Sequence, residues 1–155
     1  MSIALAESVA NQGQGFISSM AFGNGGTSVD PTGIITYLTP NSTGTNASLY
    51  NQTFTKIVDD RSVSNLDPQR NKIETRHVNG TNYTDVVVTC LLDYGEPNGQ
   101  DATDTASASD SLYVFDELGL VSYASSGTGK LLTHVIFHPV QKSLNRLIQI
   151  DYTVR

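Results

Sequence analysis

A chain of 155 residues with a net charge of −6 and a pI near 4.8 is the size of one domain and long enough to bury a core without staples. Its acidity argues against the basic patch that nucleic acid or an anionic membrane surface requires, and no stretch approaches the ~20 apolar residues of a membrane-spanning helix. Charged residues are only 15% of the chain, so the polar surface comes from Ser, Thr, Asn, Gln and Gly, which lose little side-chain entropy when covered, as in an assembly.

Ile3, Ala6, Val9 and Ala10 recur at helical spacing, with Ser2 placed to cap them. After Gly13 and Gly15 an apolar stripe resumes at Phe16, Ile17, Met20 and Phe22 and ends at Gly23-Asn24-Gly25-Gly26. Residues 1–26 are expected to form a short helix or an apolar arm, lying either on its own domain or on a neighbouring subunit. Phe16, Ile17, Met20 and Phe22 are the candidate docking residues of that arm. Residues 27–155 are expected as one β domain.

Asp30-Pro31-Thr32-Gly33 spells a turn. Residues 34–38 follow as a strand that stops at Pro40, residues 41–52 as a polar loop, and residues 54–58 as a strand closed by Asp59-Asp60-Arg61. Beyond the turn at Asp67-Pro68, residues 72–78 set Lys72, Glu74 and Arg76 against Ile73, Thr75 and His77. Asn79-Gly80 predicts a two-residue hairpin into residues 83–94, the most apolar strand, placed centrally. Residues 95–99 break that strand, and residues 100–110, all Ala, Asp, Gln, Ser and Thr, read as an exposed loop. Residues 113–115 resume a strand, and residues 122–129 form a hairpin tip. In residues 147–155, Ile148, Ile150, Tyr152 and Val154 alternate with Gln149, Asp151, Thr153 and Arg155, the mark of a half-buried strand. Seven or eight strands at this spacing predict an antiparallel β-sandwich.

Most motifs that suggest chemistry fail on spacing. Gly127-Thr128-Gly129-Lys130 lacks the first glycine and the hydroxyl of a phosphate loop, and no helix follows it. His134 and His138, four apart on a strand, lie about 13 Å from each other and cannot share an ion. Asp59, Asp60, Asp67, Asp101, Asp104 and Asp110 match no calcium loop. Asp116 and Glu117 are adjacent, so their side chains face opposite ways and cannot flank one scissile bond. The single cysteine, Cys90, alternates with Val86, Val88 and Leu92 and reads as a core thiol. The first residues lack the basic start and long apolar run of a secretion signal, so a chain kept in a reducing cytoplasm or released by lysis is expected.

The run Phe115-Asp116-Glu117-Leu118-Gly119-Leu120 is followed by a small-residue loop and then by Leu131-Leu132-Thr133-His134-Val135-Ile136-Phe137 and Pro139-Val140. With the closing strand at 147–155, it resembles the carboxyl-terminal pattern of small structural proteins of tailed bacteriophages. In those proteins E-x-G-L-[FY], a Gly/Ser hairpin and L-L-x-x-x-x-F-x-x-V precede a strand ending in Y/W-T-[VIL]. Residues 53–58 and 71–73 resemble it too, so the likeness covers about two-thirds of the chain. The longer loop at 100–110 and the first 26 residues depart from it. Physically, Glu117 is expected to end a strand and cap backbone donors at a bend, Gly119 to permit a tight turn, and Leu118 and Leu120 to fill the core.

The resemblance implies an immunoglobulin-like or jelly-roll sandwich in a virion assembled in the host cytoplasm. It further implies a non-enzymatic structural protein without cofactor, most simply a capsid decoration or cement protein. Its partners would be the major capsid protein and sister copies, with no nucleic acid or membrane. A tail, baseplate or fibre-attachment component, contacting tail subunits, is the alternative. A receptor or glycan-binding module using loops 41–52 and 95–110 is a third reading.

Overall fold

The computed structural model describes residues 1–41, 44, 47–98 and 113–155; the expected loop at 100–110, with Asp101, Asp104 and Asp110, lies outside these residues. The chain order is α1 (Ser2–Val9), β1 (Ile17–Gly23), β2 (Thr27–Val29), β3 (Ile35–Tyr37), β4 (Gln52–Ile57), β5 (Lys72–His77), β6 (Thr84–Leu92), β7 (Tyr113–Ser122), β8 (Val135–Lys142) and β9 (Ile148–Val154). A four-stranded antiparallel sheet runs β4-β1-β7-β8 and a three-stranded one runs β5-β6-β9, while β2 and β3 make a separate hairpin. Inward residues of the two larger sheets meet in one core: Met20 and Phe22 from β1, Leu118 and Leu120 from β7, and Val88, Cys90 and Leu92 from β6. This is the antiparallel β-sandwich that the alternation predicts. Each large side chain fully buried there contributes about 1.5–3 kcal/mol.

The most apolar strand, β6, sits between β5 and β9, with Val88, Cys90 and Leu92 facing the core. Cys90 is wholly buried, and burial pushes its thiol up to about 12, so it acts as a small apolar side chain. β9 alternates as its pattern demands, and Cys90 pairs with Ile150 and Val88 with Tyr152. Its inward residues are only half-buried because β9 is a sheet edge. The turn at Asp30 forms as expected. One carboxylate oxygen accepts from Thr32 N, Thr32 Oγ1 and Ile34 N at 2.8, 2.6 and 2.9 Å, and Gly33 adopts φ +87°.

Three expectations are corrected. The stripe Phe16–Phe22 is not an arm: β1 lies between β4 and β7, with Met20 and Phe22 at 0% and 1% exposure. A division at residue 26 would therefore cut the larger sheet. The alternation of Met20 and Phe22 with Ser19 and Ala21 is the strand period that the helical reading passed over. Ser2 is the first helical residue and not the cap, which is Met1. Asn79-Gly80 makes no two-residue hairpin, because His77 pairs with Thr84 and residues 78–83 intervene. There His77 Nδ1 lies 3.0 Å from Tyr83 O and 3.1 Å from Thr84 Oγ1, stabilising the longer loop.

Candidate functional site

The family-like motif occupies the middle of β7. Met20 faces Leu120 across the β1–β7 ladder and Phe22 faces Leu118, all four pointing inward, while Ala21 faces Gly119 on the outer side. Phe115 is also a core residue, so the inward phase shifts by one position between Phe115 and Leu118. The β7–β8 register is irregular at that point, and His138 and Pro139 fall in the irregular stretch of β8.

At the phase shift sit two buried carboxylates, Asp116 at 2% exposure and Glu117 at 0%. Asp116 accepts from Gly26 N at 2.8 Å, Thr27 N at 2.9 Å and Thr27 Oγ1 at 2.5 Å, tying the start of β2 to β7. Glu117 Oε1 accepts from Asn51 N at 2.8 Å and Gly25 N at 3.1 Å. Its Oε2 accepts from Tyr50 N at 2.9 Å and His134 Nε2 at 2.8 Å. Burial alone would push the Glu117 carboxyl up, but the donors from Asn51, Tyr50, Gly25 and His134 together hold it below its ordinary value. Gly23 and Gly25 make room for this: a Cβ at Gly23 would meet Glu117 Oε1 at 2.5 Å, and one at Gly25 would meet Asn51 N at 2.8 Å.

His134 extends the network. Asn41 N–H donates to His134 Nδ1 at 2.7 Å, which leaves the ring proton on Nε2, the atom that donates to Glu117. Tyr50 lies against the His134 ring, 5.5 Å between centroids, and its hydroxyl donates to Thr39 O at 2.6 Å. One carboxylate thus gathers Gly25, Tyr50 and Asn51 and, through His134, Asn41 and the β7–β8 connection onto the outer face of β7. The pair resembles an acid–base dyad only in residue type. Both side chains are fully shielded from solvent and every bonding position described is filled within the chain, so neither can exchange a proton with a substrate.

Glu117 therefore does not end a strand. It caps backbone donors, but those of distant loops. Gly119 is extended within β7 and makes no turn. Its lack of a side chain is needed because a Cβ would overlap Thr133 O and meet Leu131 Cδ1 at 2.6 Å. Leu118 and Leu120 do fill the core. The sequence signal for the latch was two acidic residues set inside an apolar strand; His134 carried none beyond its type.

The other candidates disperse. His138 lies 3.2 Å from the Tyr37 hydroxyl, far in role from His134. Lys130 pairs with Glu7 of α1 at 3.2 Å, fastening the helix beside the β7–β8 connection. Among the described residues no group of three His, Cys, Asp or Glu is arranged to hold a metal ion, and no helix is long and apolar enough to cross a membrane. Phe16 stacks on Tyr123 at 5.0 Å, with the Arg61 guanidinium 5.7 Å from its centroid, so it is packed within the chain.

A second feature carried no sequence signal. The loop from β4 to β5 holds Val63 at 100% exposure and Leu66 at 96%. It is a braced loop. Asn65 Nδ2 donates to Asp59 O at 3.1 Å and Asn71 O at 2.8 Å, and fully buried Asn71 accepts from Leu91 N at 2.8 Å. Arg70 adds an ion pair to Asp67 at 2.5 Å. Two apolar side chains are thereby presented to solvent on a support fixed to β6. α1 likewise turns Ile3, Leu5 and Val9 outward and buries only Ala4. No family model, curated protein or solved structure matches this chain.

Proposed function

We propose that this chain is a non-enzymatic structural protein of a tailed-bacteriophage virion, most simply a decoration or cement protein whose copies bridge capsid subunits. The observation that carries the reading is the braced loop with Val63 and Leu66 fully exposed. A rigid loop has already paid its ordering cost before contact, which is how pre-organised surfaces gain affinity. The low charge density and the hydroxyl- and amide-rich surface suit repeated contact with neighbours. The phage-like β7–β9 pattern supplies the virion context. The catalytic alternative is weakened because the best-formed acid–base pair, Glu117–His134, is sealed inside the latch.

Symmetry would repeat a modest contact over many copies. The test is to locate the protein in imaged particles and count it. Copies on the order of hundreds on the head support decoration. A few dozen or fewer on the tail move the protein to the alternative, a baseplate or fibre-attachment component. Absence from particles overturns both. Val63→Asp with Leu66→Asp is expected to abolish incorporation while leaving the thermal melt of the isolated protein unchanged.

A further inference from the structure

Against the outer face of β1 and β7 lies a cavity of about 300 Å³, walled by residues 47–52 on one side and by the 123–131 connection on the other. That volume is at the lower end of small-molecule sites, which run from about 300 to 1,000 Å³. Its lining contains no Asp, Glu, Lys, Arg or His. Lys130, the one charge within the 123–131 wall, points away to Glu7. The lining is hydroxyl-rich; Gln52 Nε2 donates to Thr55 Oγ1 at 2.8 Å, while the side chains of Ser18, Ser19, Ser48 and Thr128 make no hydrogen bond among the described residues. At the rim stands Tyr123, 41% exposed, with one ring face held by Phe16 at 5.0 Å and 7°.

We infer that this cavity is a binding site for a neutral saccharide of one or two rings. The chemistry selects that class. An anion would find no cation, a metal ion no carboxylate, and a purely apolar ligand would bury free hydroxyls without partners. A sugar offers hydroxyls that both donate and accept, matching the serine and threonine side chains. The C–H face of its ring suits the negative face of an aromatic ring that is already fixed in place, as Phe16 fixes Tyr123. The walls are fixed as well: the Glu117 latch holds residues 50 and 51 by their backbone, and Ser122 Oγ accepts from Lys130 N at 2.9 Å. The site is independent of the exposed loop at Val63 and Leu66, so it adds a recognition function to the assembly role.

The test is saturation-transfer NMR on the full chain with glucose, galactose, mannose, N-acetylglucosamine, lactose, maltose and cellobiose, with sialyllactose as the charged comparison. At least one neutral sugar is expected to bind with Kd of about 10 mM or tighter. Tyr123→Leu, which keeps an apolar contact to Phe16, is expected to weaken binding roughly tenfold. Ser48→Ala and Thr128→Ala, both in loops, are each expected to weaken it by about threefold and carry the test if Tyr123→Leu fails to fold. Tyr94→Leu, at an exposed tyrosine outside the cavity, is expected to leave binding unchanged. No binding by any neutral sugar, binding untouched by the three cavity variants, or equal binding of sialyllactose through its charged end would overturn the assignment.

Discussion

The two large sheets use the same backbone chemistry but dress their outer faces differently. The three-stranded sheet carries no covering loop over its outer face among the described residues: Lys72, Glu74, Thr89, Gln149, Asp151 and Thr153 make an open, mainly polar face around Val87. The four-stranded sheet is covered outside. Leu49 and Leu131 approach Gly119, Ala21 is wholly buried, and two carboxylates draw the covering loops down by their backbone amides. An open face lets most outward residues be chosen for water, with Val87 and Leu91 of the central strand tucked among their neighbours. A covered face turns its outward residues into a second interior that is not apolar, because loops bring unpaired N–H groups that need acceptors. The Asp116–Glu117 pair supplies them.

The contrast can be broken most severely by removing what both faces share. Deleting residues 1–26 takes away β1, the strand between β4 and β7, and is expected to leave no cooperative melt; deleting residues 1–10 takes only α1 and should leave one. Glu117→Ala comes next. It strands three backbone donors and the His134 Nε2–H, at an expected cost of about 3–5 kcal/mol in denaturant unfolding. The same residue sets a pH signature. Its folded carboxyl lies below the ordinary value of 4.5, so the stability it contributes is complete above that value and is lost as pH falls through the folded one. Melting temperature should therefore drop below about pH 4.5, and Glu117→Gln should flatten that drop while lowering stability at neutral pH. An unchanged acid slope in Glu117→Gln would show that other carboxylates govern it.

Gly119→Val sharpens the comparison at smaller scale. The added Cβ meets Thr133 O and Leu131, both on the covering connection, and about 3 kcal/mol of destabilisation is expected from overpacking. Gly95→Val, in open space after β6, should stay within about 0.5 kcal/mol. Equal effects at the two glycines would mean that the covering loops yield freely.

The same contrast decides what could be read from sequence. β5 and β9 were legible because one rule, apolar in and polar out, wrote them, and β6 because it is the most apolar run. β1 was not, since Phe16, Ile17, Met20 and Phe22 also fit a helical stripe and only pairing to β4 and β7 decides between the two. β7 showed its apolar residues but hid the reason for Asp116 and Glu117, because their partners are backbone amides up to 92 positions away and backbone amides leave no trace in residue type. Gly119 was marked as special for conformational freedom, whereas close approach of another segment is what requires it. Val63 and Leu66 drew no reading from sequence; their exposure accompanies a loop braced by Asn65 and Asn71.

The smallest effects belong to the bare sheet, and they test whether its outer face is as passive as it looks. Ile150 faces inward on an edge strand and is only half-buried, so Ile150→Ala should cost about 2 kcal/mol, the low end for large-to-small core changes. Thr153, three positions along on the opposite face, pairs with Val87 across the ladder and is exposed. Thr153→Ala removes only β propensity and a cross-strand neighbour, worth about 0.5 kcal/mol or less. The two changes sit on one strand, so their ratio reports the facing of β9 without reference to the rest of the fold. A Thr153 loss matching that of Ile150 would mean that the outer face of β5-β6-β9 is itself covered in solution. The covering body would then be a second copy, and the Thr153→Ala loss should shrink on dilution as that contact dissociates.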